Sequence, residues 1–419
     1  MKQLNNINYI KHISTVGDKQ KIIADNDIYS VTGIKLIGKG CQINTSLYRK
    51  LLSHKLTRPL DESLLIEDCI TTDKIISKIH ELSNDNILAK EILLRLGDKT
   101  LISRTIKSIK IPRTLKFKLS ILEQTIEKTI NHCLLVALTS IYLAHRVNID
   151  TNQMVKLAYA AIFLDIGILH LDHEIFHKTS QLTDDEIKQI HSHPIVAALI
   201  VNAYLRDTVI SVSIMDHHER ADGSGYPKGK VLEEISQNGQ ILGISELAAS
   251  LSETHGKYSY KAKIQAILKF NSEQYSNDIL TKLLDLISLI DEPTDINHIN
   301  INQSDFIDTL LKLWSVINNY VVEDKDHNDA FTFVSKHLFS LKQNLNMSGL
   351  SQNICLMSNE DINDILYESE EIHALLDEAY YKLKSIIREV KRRWHDKIYT
   401  NNSFNKISSW LNDVDSIMD

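Results

Sequence analysis

A mainly α-helical protein is the fold class this chain predicts, and three observations carry it. Only 5 of its 419 residues are proline and 13 are glycine, so turn punctuation is sparse. Apolar residues recur at three- and four-residue spacing over most of the length. Strand-like patterning is confined to one stretch near the N-terminus. An apolar fraction of 43% with 24% charged residues suits an ordinary globular protein, and the length suits two or three cores. The elements divide at residues 1–110, a small α/β module; 111–285, a helical domain; and 286–419, a C-terminal helical region.

Residues 20–45 place β-branched and apolar residues between Asp25-Asn26-Asp27, Thr32-Gly33 and Gly38-Lys39-Gly40. This predicts one or two short hairpins. The Gly38-Lys39-Gly40 piece lacks the full spacing of a phosphate loop and reads as a turn. Residues 45–110 carry helical core stripes, such as Ile75, Ile76 and Ile79. Pro112 marks a joint, and an almost unbroken helical pattern then runs from Leu115 to Val147 with His132 inside it. Met154 to Phe163 is apolar and ends in Leu164-Asp165-Ile166-Gly167. Thr183 with Glu186 three residues later has the capping-box spacing, and opens a helix expected to carry His191 and His193-Pro194. The apolar run from Val209 to Met215 delivers His217 and His218. Gln240 to Leu251 is helical and carries Glu246.

Near the C-terminus, Ile372, Leu376, Ala379, Leu383, Ile386 and Val390 alternate spacings of four and three, a heptad seam. It suits packing inside this chain, or a homodimer or partner protein gripped through the C-terminal helix. Lys391-Arg392-Arg393 reads as cationic residues late in a helix.

The formal charge of −7 gives no global attraction to nucleic acid or to an anionic membrane, so neither is an expected partner. An anionic substrate would need local positive charge, which bound metal ions can supply. The four cysteines are scattered with no CxxC pair, which points to reduced thiols in a cytoplasm. The longest apolar run, 133–144, is too short to span a bilayer.

Six residues on or beside predicted helices, all but one next to apolar helix segments, are candidate metal ligands: His132, Asp165, His193, His217, His218 and Glu246. Imidazole and carboxylate together suit Fe, Mn, Zn or Ni. Two ions roughly 3.5–4 Å apart can activate a bridging water and clamp a phosphate. After the paired histidines comes Glu219, then the turn Gly223-Ser224-Gly225-Tyr226-Pro227. Glycine lets its backbone approach a ligand closely, and Pro227 stiffens it.

The run His217-His218-Glu219-Arg220-Ala221-Asp222-Gly223-Ser224-Gly225-Tyr226-Pro227 resembles the signature of HD-GYP domains, the bacterial cyclic di-GMP phosphodiesterases of the HD superfamily. His132, Asp165-Ile166-Gly167, Asp172-His173-Glu174-Ile175 and His193-Pro194 fit the surrounding pattern, and the resemblance covers about 115–270. It implies an HD-superfamily helical bundle core and metal-dependent hydrolysis of cyclic di-GMP in signal transduction. Asp165 becomes the catalytic aspartate, and Gly223, Gly225, Tyr226 and Pro227 the substrate-binding lip. One divalent transition metal, Fe or Mn, is then held by Asp165, His193, His217 and His218. A second would rely on His132, Asp165 and Glu246. There the pattern departs: Leu164 stands where the family has the HD histidine, Ile168 replaces its lysine, and Glu246 its later aspartate. The family's arginines are missing around 255–260. His170 and His173 are the candidates to replace the lost imidazole. Two functions follow: a phosphodiesterase, or a catalytically impaired relative serving as nucleotide sensor or interaction scaffold.

Overall fold

The computed structural model describes residues 7–172, 174–175, 178, 182–253, 258–291, 303–320, 329–348, 350, 370–400 and 404–418. Two compact units divide the chain. The first holds residues up to 254 together with Glu273–Ile290; the second holds His255–Ser272 and everything from Asp291 on.

The first unit opens with α1 (Ile7–Lys19), whose buried face includes Tyr9, Ile10, Ile13 and Val16. Four short strands follow: β1 (Ile22–Ala24), β2 (Ile28–Tyr29), β3 (Lys35–Ile37) and, after α2 (Thr45–Leu52), β4 (Leu64–Ile66). β2 and β3 form the expected hairpin. β1 instead pairs antiparallel with β4, Ile22 opposite Ile66 and Ala24 opposite Leu64. The sequence reading placed helices across 45–110 and missed β4, because three apolar residues in a row have no period of their own. Gly38-Lys39-Gly40 is the expected turn: Gly40 has φ +80° and Asp27 accepts from the Lys39 amide at 2.8 Å.

Helices α3 (Thr72–Leu82), α4 (Ile87–Arg95) and α5 (Leu101–Lys107) lead to α6 (Arg113–Thr125) and α7 (Glu127–Arg146). The unbroken helix expected from 115 to 147 is thus two. Ile126, at φ −140° and ψ 67°, breaks it. The break lets α6 pack on α1 while α7 packs on α8 (Thr151–Phe163) and α12 (Gln237–Ser252). From Cys133 to Ala144 every residue of α7 is buried. Apolar on all sides, α7 is the central rod of this unit. One stretch, Thr151–His170, is apolar and long enough for a membrane span by composition, and 78% of its apolar window is buried inside the protein.

The capping box forms as expected: the Thr183 side chain caps α9 (Asp184–Ile190) and Glu186 returns to the Thr183 amide. This helix stops before His193, and α10 (His193–Leu205) starts afresh there, with Pro194 in its first turn. Proline costs nothing at that position, since its missing N–H would have no helical partner. α11 (Thr208–Asp216) is capped by Asp207, and α14 (Asn277–Ser288) completes the unit.

The second unit is a helical cluster of α13 (Tyr260–Phe270), α15 (Gln303–Asn319), α16 (Asp329–Met347), α17 (Glu370–Thr400) and α18 (Asn405–Met418). Leu376, Ala379, Leu383, Ile386 and Val390 of the seam all lie in its core, with Ile372 packed against it. The seam is closed by this chain's own helices, the packing inside the chain that its spacing allows. The helix continues past the basic run, with a kink at Trp394. Arg392 and Arg393 both pair with Glu389, at 2.8 and 2.9 Å, rather than ending the helix.

Candidate metal centre

Five chain segments deliver the candidate ligands: His132 lies on α7, Asp165 just past α8, His193 on α10, His217 and His218 at the end of α11, and Glu246 on α12. α8 ends at its C-cap Leu164, and Asp165 is the first residue beyond, leading into a tight 3-10 turn, Ile166–His170. Gly167 lets this turn press on α10: a Cβ there would lie 2.3 Å from the His193 carbonyl oxygen. His193 is the first residue of α10, and His217 the C-cap of α11.

The loop after His218 is fixed by two buried carboxylates. Glu219 accepts from the amides of Lys228 and Lys230 at 2.7 and 2.8 Å. Asp216, fully buried, accepts from Lys230 Nζ at 2.6 Å and from the Ser236 amide at 2.9 Å. Glu219, grouped by sequence with the histidines, is therefore a loop staple. Gly225 packs so closely that a Cβ would meet the Arg220 nitrogen at 2.4 Å. Gly223 sits at φ +80°, and the Tyr226-Pro227 bond is cis. The Tyr226 ring stacks on His218 at 4.6 Å and on His191 at 3.9 Å, so the lip lies directly over the imidazoles.

The ligand atoms of His193, His217 and His218 all lie within 4.8 Å of one another. His193 Nδ1 donates to the Ile190 carbonyl at 2.6 Å, and His217 Nδ1 to the Ile214 carbonyl at 2.5 Å. A carbonyl can only accept, so these bonds fix the tautomer and leave Nε2 with its lone pair. The two Nε2 atoms face each other at 3.3 Å, and Asp165 Oδ1 is 3.2 Å from His193 Nε2. Acceptors gathered like this repel unless a positive charge is shared among them, and the set fits a transition-metal ion.

Electrostatics agree. Burial, reinforced by the charge of His193, depresses His217 to about 3, so it is a neutral ring with a free pair of electrons to give. Burial also holds His218 well below the usual histidine range, with His217 and His193 adding to it. For Asp165, burial works against the charge, but the closeness of His193, with the positive charge that His193, His132 and His217 carry when protonated, brings it down to about 2. Cys133 donates its thiol to the other Asp165 oxygen at 3.9 Å.

The remaining candidates stand differently. His132 Nδ1 is 2.8 Å from Glu253 Oε2. Burial disfavours its charge, yet the Glu253 hydrogen bond, with the charges of Asp165, Glu253 and Glu246, raises it to about 9. Glu246 accepts from Ser250 at 3.0 Å and faces Arg220 Nη2 at 3.8 Å. Leu164 is 1% exposed and offers no ligand atom. His170 turns to the Tyr9 ring, 4.9 Å between centroids, while His173 lies outside the described residues. The sequence reading gave no role to Glu253 or Arg220. Arg220 was visible inside the motif; Glu253 is 121 positions from its partner, and no local signal links them.

Residues 116–278 match the family model described as HD domain. The chain is 25% identical over 226 residues to the cyclic di-GMP phosphodiesterase PdeB of Borreliella burgdorferi, covering 52% of this chain and 60% of that one. It is 29% identical over 125 residues to 3'3'-cGAMP-specific phosphodiesterase 1 of Vibrio cholerae, covering 30% and 29%. A cyclic di-GMP phosphodiesterase of Pseudomonas aeruginosa is 31% identical over 111 residues, 26% of this chain and 27% of that one. The chain thus spans about three-fifths of the first of these relatives and under a third of the other two. The paired histidines, the glycine-tyrosine-proline lip and the Asp165 turn are brought to one place, and residues 116–278, which contain them all, are an HD-domain match similar to the corresponding part of these phosphodiesterases.

Proposed function

We propose that the chain is a metal-dependent phosphodiesterase of cyclic dinucleotides, with cyclic di-GMP as the first substrate to test. The observation that carries this reading is the meeting of the His193 and His217 Nε2 atoms with Asp165 Oδ1 at 3.2–3.3 Å under the Tyr226 lip. The relatives' names supply the substrate class. Residues 111–285 form the acting part in this reading, flanked by 1–110 and 286–419, and the proposed compartment is the cytoplasm.

Asp165, His193, His217 and His218 would hold one ion firmly, with Fe or Mn the candidates for an imidazole–carboxylate set. Such an ion, when bound, acidifies a water and offsets phosphate charge. Asp165, as the catalytic aspartate, presents an ionised carboxylate from the helix end. A second ion, on His132, Asp165 and Glu246, would be the weaker, because Leu164 withholds one imidazole. Gly223, Gly225, Tyr226 and Pro227 form the lip proposed to bound the nucleotide. Leu164 and Ile168 favour a second reading, in which the nucleotide binds without turnover and the chain acts as sensor or scaffold.

Anaerobic purification, metal analysis and reconstitution with Fe(II) or Mn(II), followed by hydrolysis assays on cyclic di-GMP and 3'3'-cGAMP, test both. At least one ion per chain with release of linear dinucleotide supports the enzyme. Nucleotide binding without release supports the sensor. Absence of metal after reconstitution removes both.

A further inference from the structure

We propose that Glu253 is the positioning residue for His132, and that it makes this histidine a stronger ligand for the weaker ion; the inference rests on the metal reading above. α12 ends at Glu253, its C-cap. Glu246 lies seven residues earlier, two turns back on the same face of the helix. α12 packs along α7, with Ala248 and Ala249 fully buried. The carboxylate at the end of α12 reaches His132 on α7 at 2.8 Å.

The bond is made at Nδ1, so Nε2 is the ring nitrogen left for a metal. A carboxylate on the far nitrogen of a ligating histidine fixes its orientation and raises its basicity. The same device is absent from His193 and His217, whose Nδ1 atoms meet neutral carbonyls. Among these three histidines the charged partner has gone to the one whose proposed site lacks an imidazole at Leu164. Glu253 therefore offsets part of what that site has lost. The His132 side chain is 15% exposed and that of Glu253 32%, so Glu253 can be changed without opening the core.

Calorimetric titration of the metal-free full chain with Mn(II) tests this. Wild type is expected to bind one ion tightly and one weakly. Glu253→Gln keeps the shape and removes the charge; it should weaken the second binding step by roughly 10–100-fold and leave the first unchanged. In a His132→Ala background the same change should add nothing, since coupled residues do not contribute independently. Glu253→Asp, with the charge kept, should lose less than Glu253→Gln. An unchanged second step in Glu253→Gln, equal weakening of both steps, or a wild type that binds a single Mn(II) would each overturn the role of Glu253 while leaving the metal reading intact. A wild type that binds no Mn(II) overturns the metal reading itself, and this inference with it.

Discussion

Leu164 is the residue on which the proposed weaker second ion turns. It is buried at the end of α8, next to Asp165. Leucine and histidine are close enough in size for Leu164→His to enter the same space. We expect the variant to bind a second Mn(II) more tightly and to raise hydrolysis of cyclic di-GMP by about tenfold or more, the scale of a gained ligand contact. If steady-state rates with Mn(II) are unchanged, the second ion does not limit turnover. His217 and His132 predict the stability of the metal-free chain. His217 is depressed to about 3 from 6.5, so its contribution is full above pH 6.5 and is lost as pH falls toward 3. His132 is raised to about 9 from 6.5, so its contribution is full below pH 6.5 and is lost as pH rises toward 9. The melting temperature of metal-free protein should therefore peak near pH 6.5 and fall on both sides. His132→Gln should flatten the alkaline limb alone; an alkaline limb that keeps its slope would show that other groups set it.

At the scale of elements, helix ends carry the site. Asp165, His193 and His217 all occupy helix termini, where the chain changes direction and a side chain can leave the packed face. This spreads these candidate ligands over α8, α10 and α11 while the helix bodies do the packing. Some of this was legible. The capping box announced α9, whereas the restart of α10 at His193 and the Asp207 cap of α11 were not read from the sequence. The break at Ile126 was not legible, because neither proline nor glycine flags it and only the different partners of α6 and α7 require it. The α17 seam was legible as a heptad, but its partner was not. Leu383 is fully buried there. Leu383→Glu should cost about 3–5 kcal/mol, from a lost apolar side chain and a buried carboxylate. A melting curve will show the loss, and light scattering should show an unchanged mass for the folded fraction, since the seam is internal. A drop from dimer to monomer with little change in melting would contradict the internal seam.

At the scale of the whole molecule, two units have their own cores, and the candidate metal ligands fall entirely in the first. A ligand that binds only the folded form stabilises it by about 2.7 kcal/mol at a concentration one hundred times its dissociation constant. Mn(II) should therefore raise the unfolding transition of the first unit, and a chelator should reverse it. The second unit's transition should stay where it is. Calorimetry that finds both transitions moving equally would show that they unfold together. The HD match runs on through 255–272, which belong to the second unit, so the sequence family and the compact units do not share a boundary.

The amino-acid sequence by itself determined the helical class, the six candidate ligands and the lip, because helical periods and a dense histidine-glycine motif are written in neighbouring residues. Only the resemblance to the HD-GYP pattern marks Leu164 as standing in the place of an imidazole. Tertiary structure alone decided which strand pairs with β1, that α17 packs inward, that Glu219 holds a loop, and that Glu253 meets His132. Those contacts join residues far apart in the chain, and burial and distance, which set their energies, exist only once the helices have packed.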